Sequence, residues 1–191
     1  MADKYYHTEE SVAEYIRLSK DVNSQQLIDK LNPFLPPSSL LLELGTGPGT
    51  DWTILSKNYQ VTGSDLSKVF LERLQKLHPQ ETFLCMDAVT LEVDTNFDGI
   101  YSNKVLHHLK DDELSTSVQR QSEILHPNGI VCHSFWKGED SEEFKGMFVN
   151  YHTMEAVKNF FEAHFETLHI SLYQEFDPED SIVYIGKKRN N

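Results

Sequence analysis

The fold of this chain is decided by residues Leu40–Gly49, which read LLLELGTGPG. Leucines at four of the first five positions predict a strand buried on both faces, as in a parallel sheet. The glycines at positions 45, 47 and 49 permit a tight turn and let a ligand approach the backbone closely. Thr50–Lys57 then reads as a short helix, so the stretch predicts a strand, a glycine-rich loop and a helix in succession.

Helices and strands alternate on both sides of this stretch. Thr8 to Phe34 predicts two helices, and later helices are expected to begin at Ser67, Asp111 and Thr153. Further strands are predicted at Gln60–Ser64, Thr82–Cys85, Phe97–Ser102, Ile130–Trp136, Leu168–Tyr173 and Ile182–Gly186. This alternation is typical of an α/β fold, a Rossmann-like, doubly wound and mostly parallel seven-stranded sheet.

Three connections refine that expectation. The segment between Leu91 and Asn96 is too short for a full helix, and His126–Gly129 reads as a turn. The short polar link Glu175–Asp180 suits a hairpin, so the last strand is predicted to be antiparallel. We expect residues 1–37 to form N-terminal helices covering the active site and residues 38–191 to form one compact binding domain.

The spacing of the glycines argues against two common ligands of such loops. A dinucleotide fingerprint reads G-x-G-x-x-G, but position 50 is Thr, and a phosphate-binding P-loop would need a lysine that Gly49-Thr50-Asp51 lacks. Glu43 and Asp51 beside the loop, taken as anions, would repel a pyrophosphate. They suit a ligand with positive groups and no phosphate, such as S-adenosylmethionine. The alternative is a purely structural strand-to-helix turn.

Two carboxylates follow the next two strands. Asp65 can accept hydrogen bonds from both hydroxyls of a ribose, or it can simply cap the helix near Ser67. Asp87 can accept from an adenine amino group, with Met86 and Leu66 on either side of the ring, or it can be a surface turn residue. Both carboxylates follow strands whose carboxyl ends meet at one edge of a parallel sheet.

With these residues the chain resembles the class I S-adenosylmethionine-dependent methyltransferases. The resemblance rests on Glu43–Gly49, Gly63–Asp65, Met86–Ala88, Phe97–Ser102 with Val105–Leu109, and Leu125–Ile130, in the order of that family's motifs. It implies that Gly45 and Gly47 line the methionine part of the cofactor, that Asp65 binds ribose and that Asp87 binds adenine. The full cofactor set expected is Glu43, Gly45, Thr46, Gly47, Gly49, Asp65, Leu66, Met86, Asp87, Ala88, Asn103 and Lys104.

The segment Ser102–Val105 departs from one branch of this family. It lacks the Asn/Asp-Pro-Pro-Tyr/Phe signature of relatives that methylate adenine or glutamine, so such acceptors are disfavoured. Methyl transfer from an activated sulfonium needs positioning more than a strong catalytic constellation. His107 and His108 are the candidate general bases, with a structural role as the alternative for either residue. No metal site is expected.

Two segments are candidates for a lid that shapes an acceptor pocket. The first carries Tyr5, Tyr6, His7 and Tyr15, and the second runs from Trp136 to His152 and carries Trp136, Phe144, Phe148 and Tyr151. The second begins at the carboxyl end of a strand, where ligands bind in open α/β sheets. Tyr6, Tyr15, Trp136, Phe148 and Tyr151 are therefore the substrate-pocket candidates. Ordinary aromatic packing is the alternative.

Composition limits the partners of the chain. A net charge of −13 and a pI of about 5.0 disfavour a nucleic-acid substrate, because such binding depends on Lys and Arg. No apolar run is long enough to span a bilayer, and the start lacks the apolar core of a signal peptide, so a cytoplasmic location is expected. Cys85 and Cys132 are expected to be buried, reduced thiols.

These observations leave three functional hypotheses. The first is an S-adenosylmethionine-dependent methyltransferase acting on a small molecule. The second is a non-catalytic S-adenosylmethionine-binding regulatory or scaffold protein, and the third is an NAD-dependent oxidoreductase, which the glycine spacing disfavours. The sequence does not indicate an oligomeric state.

Overall fold

The computed structural model describes residue 6 and residues 8–18 and 23–190, and these residues form six α-helices and nine strands. A short 3₁₀ helix at Leu106–His108 follows the fourth strand. In chain order the elements are α1 Glu9–Leu18, α2 Gln25–Leu31, β1 Leu40–Leu44, α3 Thr50–Leu55, β2 Gln60–Asp65, α4 Lys68–Leu77, β3 Phe83–Cys85, β4 Phe97–Asn103, α5 Asp111–Ile124, β5 Leu125–Trp136, β6 Ser141–Phe144, β7 Met147–Asn150, α6 Met154–Phe161, β8 Phe165–Tyr173 and β9 Ser181–Lys188.

Seven of the strands form one sheet in the order β3-β2-β1-β4-β5-β9-β8. The pairs from β3 to β5 are parallel, whereas β9 runs antiparallel to both β5 and β8. This order confirms the predicted Rossmann-like sheet with a reversed last strand. From β1 the chain continues to β2 and β3 on one side of the sheet, whereas from β4 it continues to β5 on the other side. In such sheets ligands bind in the crevice at the carboxyl ends of the two strands where the direction changes, here β1 and β4.

The sheet is covered on both faces. Leu41 belongs to a buried cluster that includes α2 and α3, whereas Leu42 belongs to a second cluster that includes α5 and α6. Both leucines are fully buried, as the apolar run of β1 predicts. The α2 residues share the first cluster with the sheet, and the division of the chain at residue 37 stays a prediction.

Two predicted helix caps hold the helices that follow β2 and β7. The Ser67 hydroxyl accepts a hydrogen bond from the Phe70 backbone N–H at 3.4 Å, so α4 starts three residues after Asp65, the last residue of β2. The Thr153 hydroxyl accepts from the Ala156 backbone N–H at 3.1 Å at the start of α6. Each cap satisfies one of the free N–H groups of a helix first turn.

The predicted turn at His126–Gly129 is wrong, because these residues lie within β5. Phe97 of β4 pairs with Leu125, and two residues later Gly99 pairs with Ile130. The extra residues of β5 therefore form an irregular bulge, and Asn128 adopts a φ of 64° within it. A turn-like composition is compatible with a bulge because both need residues that tolerate positive φ.

The segment between β5 and α6, read as a long link, contains a hairpin of β6 and β7. Phe144 pairs with Met147, and the two residues between them, Lys145 and Gly146, have φ angles of 51° and 81°. Positive φ at both positions is the geometry of a tight two-residue hairpin turn. The strands escaped prediction because β6 is exposed along its whole length and lacks an apolar alternation.

The two cysteines have different environments. Cys132 is fully buried in β5, as predicted, but Cys85 at the end of β3 is exposed. The prediction for Cys85 was wrong because β3 is an edge strand of only three residues. Among the helices that the structure describes, none is long and apolar enough to cross a membrane.

Candidate active site

A cavity opens at the carboxyl ends of β1, β2 and β4 and encloses about 920 Å³, part of it open to solvent. This position matches the crevice expected from the strand order. The predicted site residues that line it are Tyr6, Tyr15, Gly45, Gly47, Asp65, Leu66, Met86, Asp87, Ala88, Asn103, Lys104 and His108.

The glycine loop forms one wall of the cavity. Gly45 has a φ of +63° and Gly47 a φ of +49°, a backbone region that favours glycine. A Cβ on Gly45 would lie 2.4 Å from Cγ2 of Val105, so the loop is packed tightly against the segment after β4. The third glycine, Gly49, does not line the cavity but forms the N-cap of α3.

Asp65 lies opposite this loop and is held by backbone donors. Its Oδ2 accepts from the Gly47 N–H at 2.9 Å, and its Oδ1 accepts from the Ser67 N–H at 2.8 Å. Ser67 and not Asp65 caps the helix, so the carboxylate of Asp65 fixes the loop after β2 and lines the cavity. Each oxygen has a second lone pair, so the group can still accept hydrogen bonds from a ligand.

A second carboxylate and an apolar pair lie at the end of β3. Asp87 lines the cavity, and its Oδ1 accepts from the Val89 N–H at 2.7 Å. Met86 is almost fully buried, while Leu66 on the adjacent loop is 43% exposed. Leu66 and Met86 thus present apolar surface beside Asp87, a combination suited to a planar ring with a polar edge.

Glu43 does not line the cavity, which changes its expected role. Its side chain is buried, and its carboxyl bonds with the Thr46 hydroxyl at 2.6 Å. Burial, with a smaller contribution from the negative charge of Asp51, raises the pKa of Glu43 well above its usual range. Glu43 therefore packs with Thr46 beneath the glycine loop and does not face the cavity.

Asn103 and Lys104 follow β4 and line the cavity, but their polar groups make internal contacts. The Asn103 amide donates to the Ser24 hydroxyl at 2.9 Å and to Asp51 at 3.1 Å. The Lys104 ammonium donates to the Phe135 carbonyl at 3.0 Å and lies 3.5 Å from the centre of the Trp136 ring. Burial lowers the pKa of Lys104 to about 7.

The two candidate bases differ in position. His107 is only 3% exposed and does not line the cavity, and burial lowers its pKa well below the usual value. His108 lines the cavity, and its Nδ1 lies 2.7 Å from the Phe148 carbonyl oxygen. The two rings are tilted by 50° with their centroids 4.0 Å apart, so the buried His107 packs directly against His108.

Aromatic side chains form another wall. Tyr6 and Tyr15 meet edge to face with centroids 5.2 Å apart, and each ring lies about 6 Å from that of Phe70. The Ser67 hydroxyl donates to the Tyr6 carbonyl, which attaches the N-terminal segment to the residues between β2 and α4. Tyr5 and His7, also named as lid candidates, lie outside the described residues.

The aromatic residues predicted between Trp136 and Tyr151 do not line the cavity. Trp136 contacts Lys104 and stacks on Phe176, and the Tyr151 hydroxyl bonds with Glu142. Phe148 supplies only its backbone carbonyl, through His108. The segment that contains the β6–β7 hairpin therefore contacts residues that line the cavity but does not line it itself.

Sequence reasoning missed several lining residues, namely Leu44, Ser64, Ser67, Phe70, Val105 and Leu109. Phe70 was read only as a core residue of α4, and it is indeed 2% exposed. Phe70 could have been predicted to line the cavity from its position three residues after the Ser67 cap, because the first turn of a helix after β2 faces the same crevice.

Comparison with known proteins supplies a family for this arrangement. Residues 41–129 match the family described as a methyltransferase domain. The chain is 29% identical over 115 residues to the 2-methyl-6-phytyl-1,4-hydroquinone methyltransferase of Synechocystis sp. (strain ATCC 27184 / PCC 6803 / Kazusa), a match that covers 57% of this chain. The matched part of this chain spans only 36% of the length of that relative.

Solved structures share the fold at low sequence identity. The Burkholderia thailandensis 1,6-didemethyltoxoflavin-N1-methyltransferase, with bound 1,6-didemethyltoxoflavin and S-adenosylhomocysteine, has a TM-score of 0.81 at 19% identity, covering 95% of this chain and 85% of that one. The N-methyltransferase NodS of Bradyrhizobium japonicum WM9, in complex with S-adenosylhomocysteine, has a TM-score of 0.76 at 15% identity, covering 98% and 100%. Together with the sheet order, they show that this chain has the fold of these S-adenosylmethionine-dependent methyltransferases, and residues 41–129 match the methyltransferase-domain family.

Proposed function

We propose that this protein transfers the methyl group of S-adenosylmethionine to a small-molecule acceptor. One observation carries the proposal: the glycine loop, Asp65 and Asp87 line a single cavity at the carboxyl edge of the sheet. The ammonium of Lys104, also in the lining, is held by the Phe135 carbonyl and the Trp136 ring. A site with two carboxylates and no cation directed at the ligand suits a cationic cofactor better than a pyrophosphate.

The residues of the cavity fit the parts of this cofactor. We assign the methionine part to Gly45 and Gly47, whose missing side chains leave room against the backbone. We assign the ribose hydroxyls to Asp65, and the adenine ring to Asp87 with Met86 and Leu66. Bound there, the cofactor supplies an activated methyl group on a sulfonium leaving group.

The rest of the reaction is positioning by the chain. A methyl transfer needs the acceptor atom in line with the bond that breaks, so the walls must fix the acceptor and exclude water. The aromatic wall of Tyr6, Tyr15 and Phe70 provides apolar surface for that purpose. The relatives named above act on a hydroquinone and on a toxoflavin precursor, which supports a small-molecule acceptor. The cytoplasmic location and the absence of a nucleic-acid partner stay predictions.

Isothermal titration calorimetry with S-adenosylmethionine and with NAD tests this assignment directly. We expect binding of S-adenosylmethionine and no displacement of it by NAD. A folded protein that binds neither compound would remove the proposed function, and preferential binding of NAD would favour the oxidoreductase hypothesis. Cofactor binding without turnover of any acceptor in a labelled metabolite extract would favour the regulatory or scaffold hypothesis.

A further inference from the structure

A chain of side-chain hydrogen bonds crosses the core between the sheet and α5. It joins four fully buried residues, Ser102 of β4, His133 of β5, and Gln121 and Ser117 of α5. His133 Nδ1 lies 2.8 Å from the Ser102 hydroxyl, and its Nε2 lies 2.8 Å from the Gln121 side-chain oxygen. The Gln121 amide nitrogen donates to the Ser117 hydroxyl at 3.1 Å. Burying four polar side chains costs free energy that only a complete set of hydrogen bonds offsets.

This chain of bonds ends on the wall of the cavity. The Ser117 hydroxyl donates to the backbone carbonyl of Ala88, a lining residue, at 2.6 Å. The N–H of the same peptide unit belongs to Val89 and donates to Asp87 Oδ1 at 2.7 Å. Because a trans peptide is planar, its C=O and N–H point in opposite directions, and fixing one also fixes the other. Ser117 therefore sets the direction of the donor that holds the Asp87 carboxylate.

The direction of each hydrogen bond follows from this end of the chain. A carbonyl can only accept, so Ser117 donates its single hydroxyl proton to Ala88 and must itself accept from the Gln121 nitrogen. The Gln121 oxygen then accepts from His133 Nε2, which carries the proton. Burial lowers the pKa of His133 to about 3, so the ring is neutral and its Nδ1 accepts from the Ser102 hydroxyl. These bonds are therefore consistent with a single arrangement of protons.

The backbone around the cavity carboxylate depends on α5 because it has no helix of its own. Residues 86–96, all of which the structure describes, contain no helix that could satisfy their carbonyls internally. Side chains of α5 supply donors instead: Arg120 donates to the carbonyls of Leu91 at 3.3 Å and Val93 at 3.4 Å. The bond from Ser117 is the α5 contact that reaches the part of this segment lining the cavity.

From this geometry we propose that Ser117, held by Gln121 and His133, is a positioning residue that aims the Asp87 carboxylate at the amino group of adenine and so determines which base the cofactor site accepts. The inference rests on the proposed function and deepens it. An amino group donates to a carboxylate, whereas the carbonyl oxygen that replaces it in hypoxanthine can only accept and is repelled. A carboxylate with a fixed orientation discriminates between these two groups more strongly than a mobile one.

The test compares S-adenosylhomocysteine with S-inosylhomocysteine, in which a carbonyl oxygen replaces the amino group of the base. Calorimetry measures both dissociation constants for each protein. Ser117→Ala removes the donor to Ala88, whereas Ser117→Thr keeps a hydroxyl at the same position. Gln121→Met keeps the Ser117 hydroxyl but removes the group that holds it. Ser115→Ala is the matched control, because this exposed serine of the same helix bonds only to the Asp111 carbonyl within the helix among the described contacts.

We expect wild type, Ser115→Ala and Ser117→Thr to prefer the adenine ligand by about tenfold or more, because the fixed carboxylate accepts from the amino group. Ser117→Ala should lose about three- to tenfold of that preference, and Gln121→Met a smaller part of it. A merely structural role would lower the thermal stability or weaken both ligands equally, and the ratio of the two dissociation constants would then stay unchanged.

An equal preference in wild type and Ser117→Ala would overturn the inference. So would an equal loss in Ser117→Thr and Ser117→Ala, because the hydroxyl would then not be responsible. If Ser117→Ala does not fold, an unchanged preference in Gln121→Met has the same meaning. A wild type that binds both ligands equally would also overturn the inference, while the proposed function would stand. Failure of folded wild type to bind S-adenosylhomocysteine would instead defeat the proposed function, so the two failures are distinguishable.

Discussion

Two edges of the same cavity are built by different kinds of contact. The glycine-loop edge comprises Gly45–Gly49, Asp65 and Asp87, at the ends of β1, β2 and β3. The histidine edge comprises Asn103–Leu109, after β4, which is backed by Trp136–His152, after β5. At the first edge, side chains bond to backbone N–H groups of their own or a neighbouring loop. At the second, polar side chains reach partners 31 to 79 residues away.

We expect this difference to separate binding of the cofactor from selection of the acceptor. A geometry set by backbone conformation is nearly insensitive to surrounding side chains, which suits the site of a cofactor that does not vary. A geometry set by long-range side-chain contacts can change when one distant segment changes, which suits the recognition of an acceptor. The comparison therefore predicts that damage at the first edge removes cofactor binding, and that damage at the second edge leaves it in place.

The largest expected effect comes from the glycine loop. Gly45→Ala should cost about 2–5 kcal/mol of unfolding free energy, since the left-handed backbone and the 2.4 Å approach to Val105 both oppose a Cβ. Gly47→Ala is the matched control: its φ is also positive, but the nearest atom to its Cβ would be 3.9 Å away, so about 1–2 kcal/mol is expected. Denaturant unfolding of both variants measures the difference, and equal losses would contradict the proposed packing of the loop.

A smaller effect, on binding alone, is expected at Asp65. Asp65→Ala should weaken S-adenosylmethionine binding by about 1.5–3 kcal/mol, or about 10- to 150-fold, because hydrogen bonds to a charged acceptor are lost. Asp94→Ala, which removes an exposed carboxylate away from the cavity, should leave the affinity unchanged. Calorimetry on both variants, with thermal unfolding to verify the fold, decides the matter, and an unaltered affinity in Asp65→Ala would remove the ribose assignment.

The smallest effect concerns the buried amine of the histidine edge. The pKa of Lys104 is about 7 in the folded chain, against about 10.4 for an unperturbed lysine. Between these values the unfolded chain binds the extra proton, so stability rises with pH, by up to about 1.4 kcal/mol per unit. Unfolding free energies at pH 8 and pH 9 should therefore differ more in wild type than in Lys104→Met. Identical slopes would show that Lys104 stays charged when folded.

The contrast between the edges also explains what the sequence could reveal. The glycine loop, Asp65 and Asp87 were predicted as candidates because their backbone geometry demands particular residue types at a short, fixed spacing. The contact between His108 and Phe148 could not be predicted, because it spans 40 residues and uses a carbonyl that any residue possesses. The same reason hid the hairpin, whose exposed β6 has no apolar pattern.

Glu43 illustrates a further limit. The sequence correctly placed this residue at the end of β1 but could not show that its side chain turns into the protein. The rise in its pKa comes mainly from burial and less from Asp51, eight positions along the chain, so it follows from packing and not from residue type. The doubly wound, mostly parallel sheet with a reversed last strand, by contrast, was predictable because alternating apolar patterns and short connections leave few possible topologies.

The unequal environments of the two thiols have a practical consequence. Burial raises the pKa of Cys132 to about 12, and its side chain is inaccessible, whereas Cys85 is exposed and directly precedes Met86 in the cavity wall. Alkylating dyes react with accessible thiolates, so they should modify the native chain at Cys85 alone. An environment-sensitive fluorophore attached there would sit next to a residue that lines the cavity, giving an optical sensor of occupancy without any engineered residue.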